Sequence, residues 1–290
     1  MLDFIYFWIQ KGICAVQPKC WQREPVLGYN SVAMDIHLVP VLGDNYAYLV
    51  VHKATQKAFC VDPAEPEKVL DAAERLGVTL EMSLTTHKHW DHAGGNNKLA
   101  KLVPGIPIVG GEKEHVPACS KFVKDGEEFY FETIKIRTLL TPCHTSGHVL
   151  YYVTDPSCAD PALFSGDTLF VAGCGRFFEG TGKDMYRALV QVCGSLPPNT
   201  RVFCGHEYTV KSLQFALSVE PNNAALKQKM TWAQQRRHEN LPTVPSTIAE
   251  ELSYNPFMRV TQPSVALATG VSQSDPVAVM TKLRQMKDVF

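Results

Sequence analysis

Short apolar and β-branched runs predict strands at 35–41, 46–52, 58–61, 82–86, 106–109, 134–140, 149–154, 163–165 and 201–204. Between them, residues 66–76 place Val69, Leu70, Ala73 and Leu76 at helical spacing, with Gly77 as the stop. A second helix is expected over 184–193, opened by Asp184 as its cap and closed near Gly194. Many strands with few helices between them predict an α/β protein in which two sheets pack face to face and helices cover both outer surfaces, an αββα sandwich. Beyond Tyr208 the strand alternation disappears. Residues 210–219 and 223–239 read as helices, the latter rich in Ala, Gln, Lys and Arg, and 241–246 as a loop between helices. A closing helix over 276–286 has Asp275 as its cap and Pro276 at its first position. Three parts are expected: an extension over 1–33, a sandwich over 34–207 and a mainly helical region over 208–290.

Composition narrows the class without deciding it. A chain of 290 residues with 45% hydrophobic and 20% charged content can bury one large core or two modest ones. A net charge of −1 leaves no basic footprint for nucleic acid. The nine cysteines are an odd number and show no CxxC spacing, which fits a reducing compartment. Residues 4–9 are apolar but too short to cross a bilayer, and Asp3 sits where a signal peptide carries positive charge. The leader has Lys11, Lys19 and Arg23 against Asp3 and Glu24, a weak match to a mitochondrial presequence. A cytoplasmic monomer with no membrane partner is expected, the mitochondrial matrix is the alternative location, and Met34 is an alternative start.

The chemistry concentrates in Thr86-His87-Lys88-His89-Trp90-Asp91-His92, which places four metal-binding side chains within six positions. A turn there lets His87 and His89 share one cation while Asp91 and His92 face a second. His144, Asp167 and His206 each follow an apolar or β-branched run beside turn-forming residues, where a strand end would hand its side chain to a cleft. His87, His89 and His144 are expected to hold the first metal, and Asp91, His92 and His206 the second. Asp167 would bridge them, one carboxylate oxygen to each ion. Two divalent ions are implied, zinc first and iron or manganese as alternatives. So many ionisable groups packed together without a cation would repel one another and lose solvation. Isolated histidines are more often core or capping residues, and His37, His52, His115 and His238 are assigned there. Cys143 and Cys174 lie near the site, but no base motif accompanies them, so they read as small packing residues. A bridging water loses its proton near neutral pH between two cations, since metal binding lowers its pKa from about 15.7 to roughly 7. Asp91 would orient it as well as ligate. No extra general acid is evident, which suits a thioester, because a thiol of pKa roughly 8.5 leaves as thiolate with little help.

The stretches 84–96, 141–148, 166–175 and 204–209, together with 244–247 and 254–259, resemble the glyoxalase II family, the hydroxyacylglutathione hydrolases, within the metallo-β-lactamase superfamily. The resemblance runs from about Met34 to Phe290. It implies the same sandwich with a helical C-terminal domain, and hydrolysis of S-(2-hydroxyacyl)glutathione, chiefly S-D-lactoylglutathione, in methylglyoxal detoxification. By resemblance, the small-molecule glutathione thioester is held by Arg176, Phe178, Tyr208, Arg284 and Lys287. Arg284 and Lys287 are three apart, so one helix face can present both to a carboxylate. The family usually has Lys at position 176 and Tyr at 178, so this chain lacks one phenol hydroxyl there. It also has Lys88 where His is common, at a position expected to point away from the metals with little effect. The alternatives are a persulfide dioxygenase-like oxidoreductase using one iron, a broader thioesterase of the same superfamily, and a non-catalytic binder of glutathione conjugates.

Overall fold

The computed structural model describes residues 28–30, 33–157 and 159–290. The expected leader lies outside the described residues except for 28–30 and 33. Its described part forms an edge strand, β1 (Gly28–Asn30), paired antiparallel to β2. Seven strands make the first sheet in chain order: β1, β2 (Met34–Val41), β3 (Asn45–His52), β4 (Lys57–Val61), β5 (Thr79–Leu84), β6 (Ile108–Gly111) and β7 (Lys121–Val123). It is antiparallel as far as β4 and parallel from β4 to β7. Parallel neighbours cannot be joined by a tight turn: α1 (Pro66–Leu76) connects β4 to β5, α2 (Trp90–Ala93) with α3 (Asn96–Leu102) connects β5 to β6, and residues 112–120 connect β6 to β7 without a helix.

The second sheet begins with β8 (Glu128–Phe131), β9 (Ile134–Leu140), β10 (Val149–Thr154) and β11 (Ala162–Gly166). A small hairpin follows, β12 (Leu169–Phe170) and β13 (Gly173–Cys174), then α4 (Gly182–Tyr186). Next come β14 (Arg201–Cys204), parallel to β11, and the helices α5 (Thr209–Val219) and α6 (Ala224–His238). A two-residue strand, β15 (Ser246–Thr247), pairs with β14 and closes the order β15-β14-β11-β10-β9-β8. The chain ends in α7 (Ile248–Tyr254), α8 (Pro263–Thr269) and α9 (Pro276–Asp288).

Strand sequences explain the layering. Alternate side chains of a strand face opposite sides, and here both sides are covered. Tyr46, Tyr48 and Val50 of β3 and Phe59 of β4 point between the sheets, against Ile136, Tyr151, Phe164 and Phe203. Tyr48, Phe164 and Phe203 meet there with centroids 5.3 to 5.4 Å apart. The intervening Ala47, Leu49, Ala58 and Cys60 face outward onto Val69, Ala72 and Ala73 of α1 and Leu99 of α3. Leu150, Leu163 and Val202 of the second sheet face outward onto Met185, Phe215, Val279 and Leu283. Three apolar layers thus separate helices, sheet, sheet and helices. Among the described residues, no helix is long and apolar enough to cross a membrane.

Three local expectations need correction. The helix expected from 184 begins earlier, because Asp184 is not its cap: Thr181 is, and the Asp184 carboxylate accepts the Thr181 N–H at 2.8 Å from the third helical position. From Arg187 to Val192 that helix widens to π-helical turns before a tight turn at Cys193–Ser195. The expected loop over 241–246 ends in β15, so the C-terminal region supplies an edge strand to the second sheet.

Candidate metal centre and cleft

The seven expected ligands sit beyond the C-terminal ends of four strands that run toward one edge of the sandwich. His87, His89, Asp91 and His92 follow β5, His144 follows β9, Asp167 follows β11 and His206 follows β14. Two glycines allow the approach. A Cβ on Gly205 would lie 2.5 Å from Asp167 Oδ1 and 2.6 Å from His92 Cε1. Gly166, at φ +47°, turns the chain into Asp167 in a conformation that L side chains rarely adopt.

The structure brings all seven together in three overlapping groups: His87, His89 and His144; His87, His92 and Asp167; Asp91, His92 and His206. Within each group the donor atoms lie within 4.8 Å of one another. His89 Nδ1 is 3.0 Å from both His87 Nε2 and His144 Nε2. Asp167 Oδ1 is 3.2 Å from His92 Nε2, and its Oδ2 is 3.4 Å from both His144 Nε2 and His206 Nε2. Asp91 Oδ2 is 3.5 Å from His206 Nε2.

Outer hydrogen bonds fix which ring nitrogens carry protons. His92 Nδ1 donates to Asp62 Oδ2 at 2.9 Å, His206 Nδ1 to Asp44 Oδ1 at 2.9 Å, and His144 Nδ1 to the Arg176 carbonyl at 3.0 Å. Thr86 Oγ1 donates to Asp62, so it accepts from His87 Nδ1 at 3.1 Å. All four imidazoles therefore turn an Nε2 lone pair inward. With both rings neutral, His92 Nε2 and His206 Nε2 would meet lone pair to lone pair at 3.3 Å, so a proton or a cation must lie between them. Asp167 Oδ1 is buried and accepts no hydrogen bond. Converging lone pairs beside an unpartnered carboxylate oxygen fit divalent cations. Tetrahedral zinc with N ligands at about 2.0 to 2.1 Å would set them about 3.3 Å apart.

The protein's own charges point the same way. Burial keeps His87, His144 and His148 below the usual imidazole range. At His92, burial is outweighed by the carboxylates of Asp167 and Asp62, which hold the ring well above that range. Asp167, whose burial favours the acid, is held well below the carboxylate range by His92 and His206. The centre draws positive charge into the space between these groups.

A cleft of about 700 Å³ opens onto the cluster. All five expected substrate residues line it, together with Trp90, Phe170, Cys174, Lys211 and Ser212. Tyr208 stacks on His206 at 4.5 Å and 7°. Phe178 lies 5.2 Å from the His144 ring and 5.7 Å from that of His89. Arg284 is buried, donates to the Cys174 carbonyl at 3.2 Å, pairs with Asp288 at 2.8 Å, and keeps a buried Nε without a partner. Lys287 Nζ donates to Ser212 Oγ at 3.1 Å, and burial pulls its ammonium down to about 8. Arg176 pairs with Asp288 at 3.1 Å. Burial keeps the Cys143 and Cys174 thiols protonated. A second cavity of about 650 Å³ on the far side of Asp44 contains none of the seven expected ligands.

Several site residues escape a sequence reading. Asp62, Asp44 and Asn45 hold His92, His206 and Asp91 respectively. His148 stacks on His87 at 4.8 Å and accepts the Asp167 N–H at 3.2 Å. Buried Glu114 accepts from Lys88 N and Gly147 N, both at 2.8 Å, tying two ligand-bearing turns together. A usable signal existed for Asp62 alone, an acid directly after the 58–61 strand.

Fold and site together define a member of the metallo-beta-lactamase superfamily, whose family model matches residues 42–206. A metallo-beta-lactamase structure from Staphylococcus aureus has the same fold, with a TM-score of 0.61 over 90% of this chain and 72% of that one, at 22% identity. Residues 207–290 match the model for the hydroxyacylglutathione hydrolase C-terminus. The Arabidopsis thaliana protein named hydroxyacylglutathione hydrolase cytoplasmic is 50% identical over 88% of this chain and 98% of its own. A Gallus gallus hydroxyacylglutathione hydrolase-like protein is 50% identical over 89% and 90%. The chain belongs to the hydroxyacylglutathione hydrolase family.

Proposed function

We infer that this chain hydrolyses S-(2-hydroxyacyl)glutathione, chiefly S-D-lactoylglutathione, to glutathione and the hydroxy acid, acting in the cytoplasm. The observation that carries the reading is one cleft joining the histidine and aspartate cluster to a buried basic recess at Arg284 and Lys287. His87, His89 and His144 would hold one divalent ion and Asp91, His92 and His206 the other, with Asp167 between them and zinc the preferred metal. When bound, the ions supply Lewis acidity at the thioester carbonyl and water deprotonated near neutral pH.

The chain's own groups do the rest. Asp91 lines the cleft and is steadied by Asn45 Nδ2 at 3.1 Å, which places it to orient the attacking water. Arg284 and Lys287 project into the recess from one face of α9, where a glutathione carboxylate would take the unpartnered Arg284 Nε and the Lys287 ammonium. Tyr208, packed on His206, and Phe178, over His144, form apolar walls on either side of the cluster. A departing thiolate needs no proton in the transition state, so none of the cleft residues has to act as a general acid. In this division of labour, residues 34–207 carry the chemistry and contribute Arg176 and Phe178 to the cleft, and 208–290 add Tyr208, Arg284 and Lys287 for the glutathione. Seven converging donors and the matched C-terminal region favour the hydrolase over a one-iron oxygenase.

The test is S-D-lactoylglutathione cleavage followed with and without chelator, alongside elemental analysis. Chelator-sensitive turnover with about two metal equivalents per chain, the number the donor set accommodates, is expected. Two bound metals without thioester turnover would refute the reading.

A further inference from the structure

Lys88 lies between two expected ligands but turns away from them, and its Nζ meets Glu179 Oε1 at 2.6 Å. Both side chains are about one-third exposed, so the pair is partly withdrawn from solvent. The other oxygen of Glu179, Oε2, accepts the Ser146 N–H at 2.8 Å, and the Glu179 N–H donates to the Cys143 carbonyl at 3.1 Å. Glu179 is thereby tied to the turn carrying His144 and, through Lys88, to the turn carrying His87 and His89. It directly follows Phe178 and lies three residues beyond Arg176.

Phe178 needs such an anchor. Its ring is 58% exposed and has no polar atom, so no hydrogen bond of its own fixes it over His144. Arg176 is also largely exposed, 5.8 Å from the Phe178 ring. Phe178 is therefore placed by the backbone of 175–180 alone, and Arg176 by that backbone together with its pair to Asp288. We propose that Lys88 and Glu179 form a latch that positions this segment, making Lys88 a positioning residue for the glutathione thioester. The latch rests on the hydrolase reading for its substrate but on the geometry alone for its effect on the segment. It also changes the expectation that Lys88 has little effect.

The experiment measures kcat, KM, metal content and hydrogen exchange of 175–180 in the intact metal-loaded protein and in Lys88→Gln, Lys88→Arg, Glu179→Gln and the Lys88→Gln/Glu179→Gln double variant. Lys88→Gln should raise KM for S-D-lactoylglutathione about fivefold, the scale of a well-formed partly exposed ion pair. Its kcat and metal content should stay near the original, and exchange should quicken in 175–180. Lys88→Arg should restore KM, and the double variant should be no worse than Lys88→Gln, because both substitutions break one interaction. An unmoved KM, additive effects, or metal loss would overturn the latch. If the unmutated protein shows no thioester turnover, the hydrolase reading falls, and the role of the latch toward that substrate falls with it. The exchange measurement separates the two failures, since it needs no substrate.

Discussion

The carboxylate of Asp62 accepts three hydrogen bonds, from Thr86 N at 2.8 Å, Thr86 Oγ1 at 2.7 Å and His92 Nδ1 at 2.9 Å. An amide cannot satisfy all three donors. Asp62→Asn must either turn its NH2 group toward the Thr86 N–H or force His92 to move the proton to its inward nitrogen, where it opposes a cation. Asn tolerates the φ of +50° found here, so the backbone should survive. Loss of such an orienting partner lowers metal affinity by roughly 10- to 100-fold. Chelator competition should show that loss with the near-UV circular dichroism preserved, and unchanged affinity would refute the orienting role. The contrast with the seven cluster residues is instructive. Those were legible because His87, His89, Asp91 and His92 crowd one short segment, a pattern that packing alone does not need. Asp62 reaches His92 across 30 positions and Asp44 reaches His206 across 162. Nothing in local spacing connects them.

At the scale of elements, the hairpin β12–β13 matters most, because it links Asp167 to Arg176. It is held from α7, where buried Glu251 accepts the Ala172 N–H at 2.9 Å and Asn255 donates to the Gly173 carbonyl at 3.0 Å. Asn255 and the Tyr254 hydroxyl also donate to Glu251, both at 2.9 Å. Burial pushes the Glu251 carboxyl above its usual range, and these donors offset only part of the effect. With its folded pKa raised, the native state holds the proton longer than the unfolded chain. Stability from this group is therefore fully present below the unfolded value, about 4.3, and lost as pH rises through the folded one. Glu251→Gln keeps the acceptor for Ala172 and does not ionise. Denaturant melts should show a smaller fall in stability above about pH 4.3 than in the unmutated protein; an identical pH slope would show that Glu251 ionises at no cost. The long strands of the sandwich were readable because each carries an extended apolar run. This hairpin, β7, β8 and β15 were missed, since two to four residues show no period and owe their pairing to neighbours distant in sequence.

For the whole molecule, the question is whether the sandwich and the helical region are separable. The site suggests a division of labour near Glu207, but packing opposes a division of folding. In the apolar layer outside the second sheet, half of the buried residues come from beyond position 208, among them Phe215, Ile248, Phe257, Val279 and Leu283. Without them, Leu169, Met185, Leu189 and Val202 lose their cover, at about 1.5 to 3 kcal/mol for each large side chain exposed. A few such losses match the roughly 5 to 15 kcal/mol by which a protein is stable. Truncation would also remove β15, baring the edge of β14, which carries His206 at its end, and would remove Glu251 from the hairpin beside Asp167. A chain ending at Glu207 should therefore show no cooperative thermal transition and weak metal retention, whereas the full chain, loaded with metal, should melt in one transition. A truncated form that melts sharply and keeps its metals would show that the sandwich stands alone and that the helical region is only a recognition module attached to it.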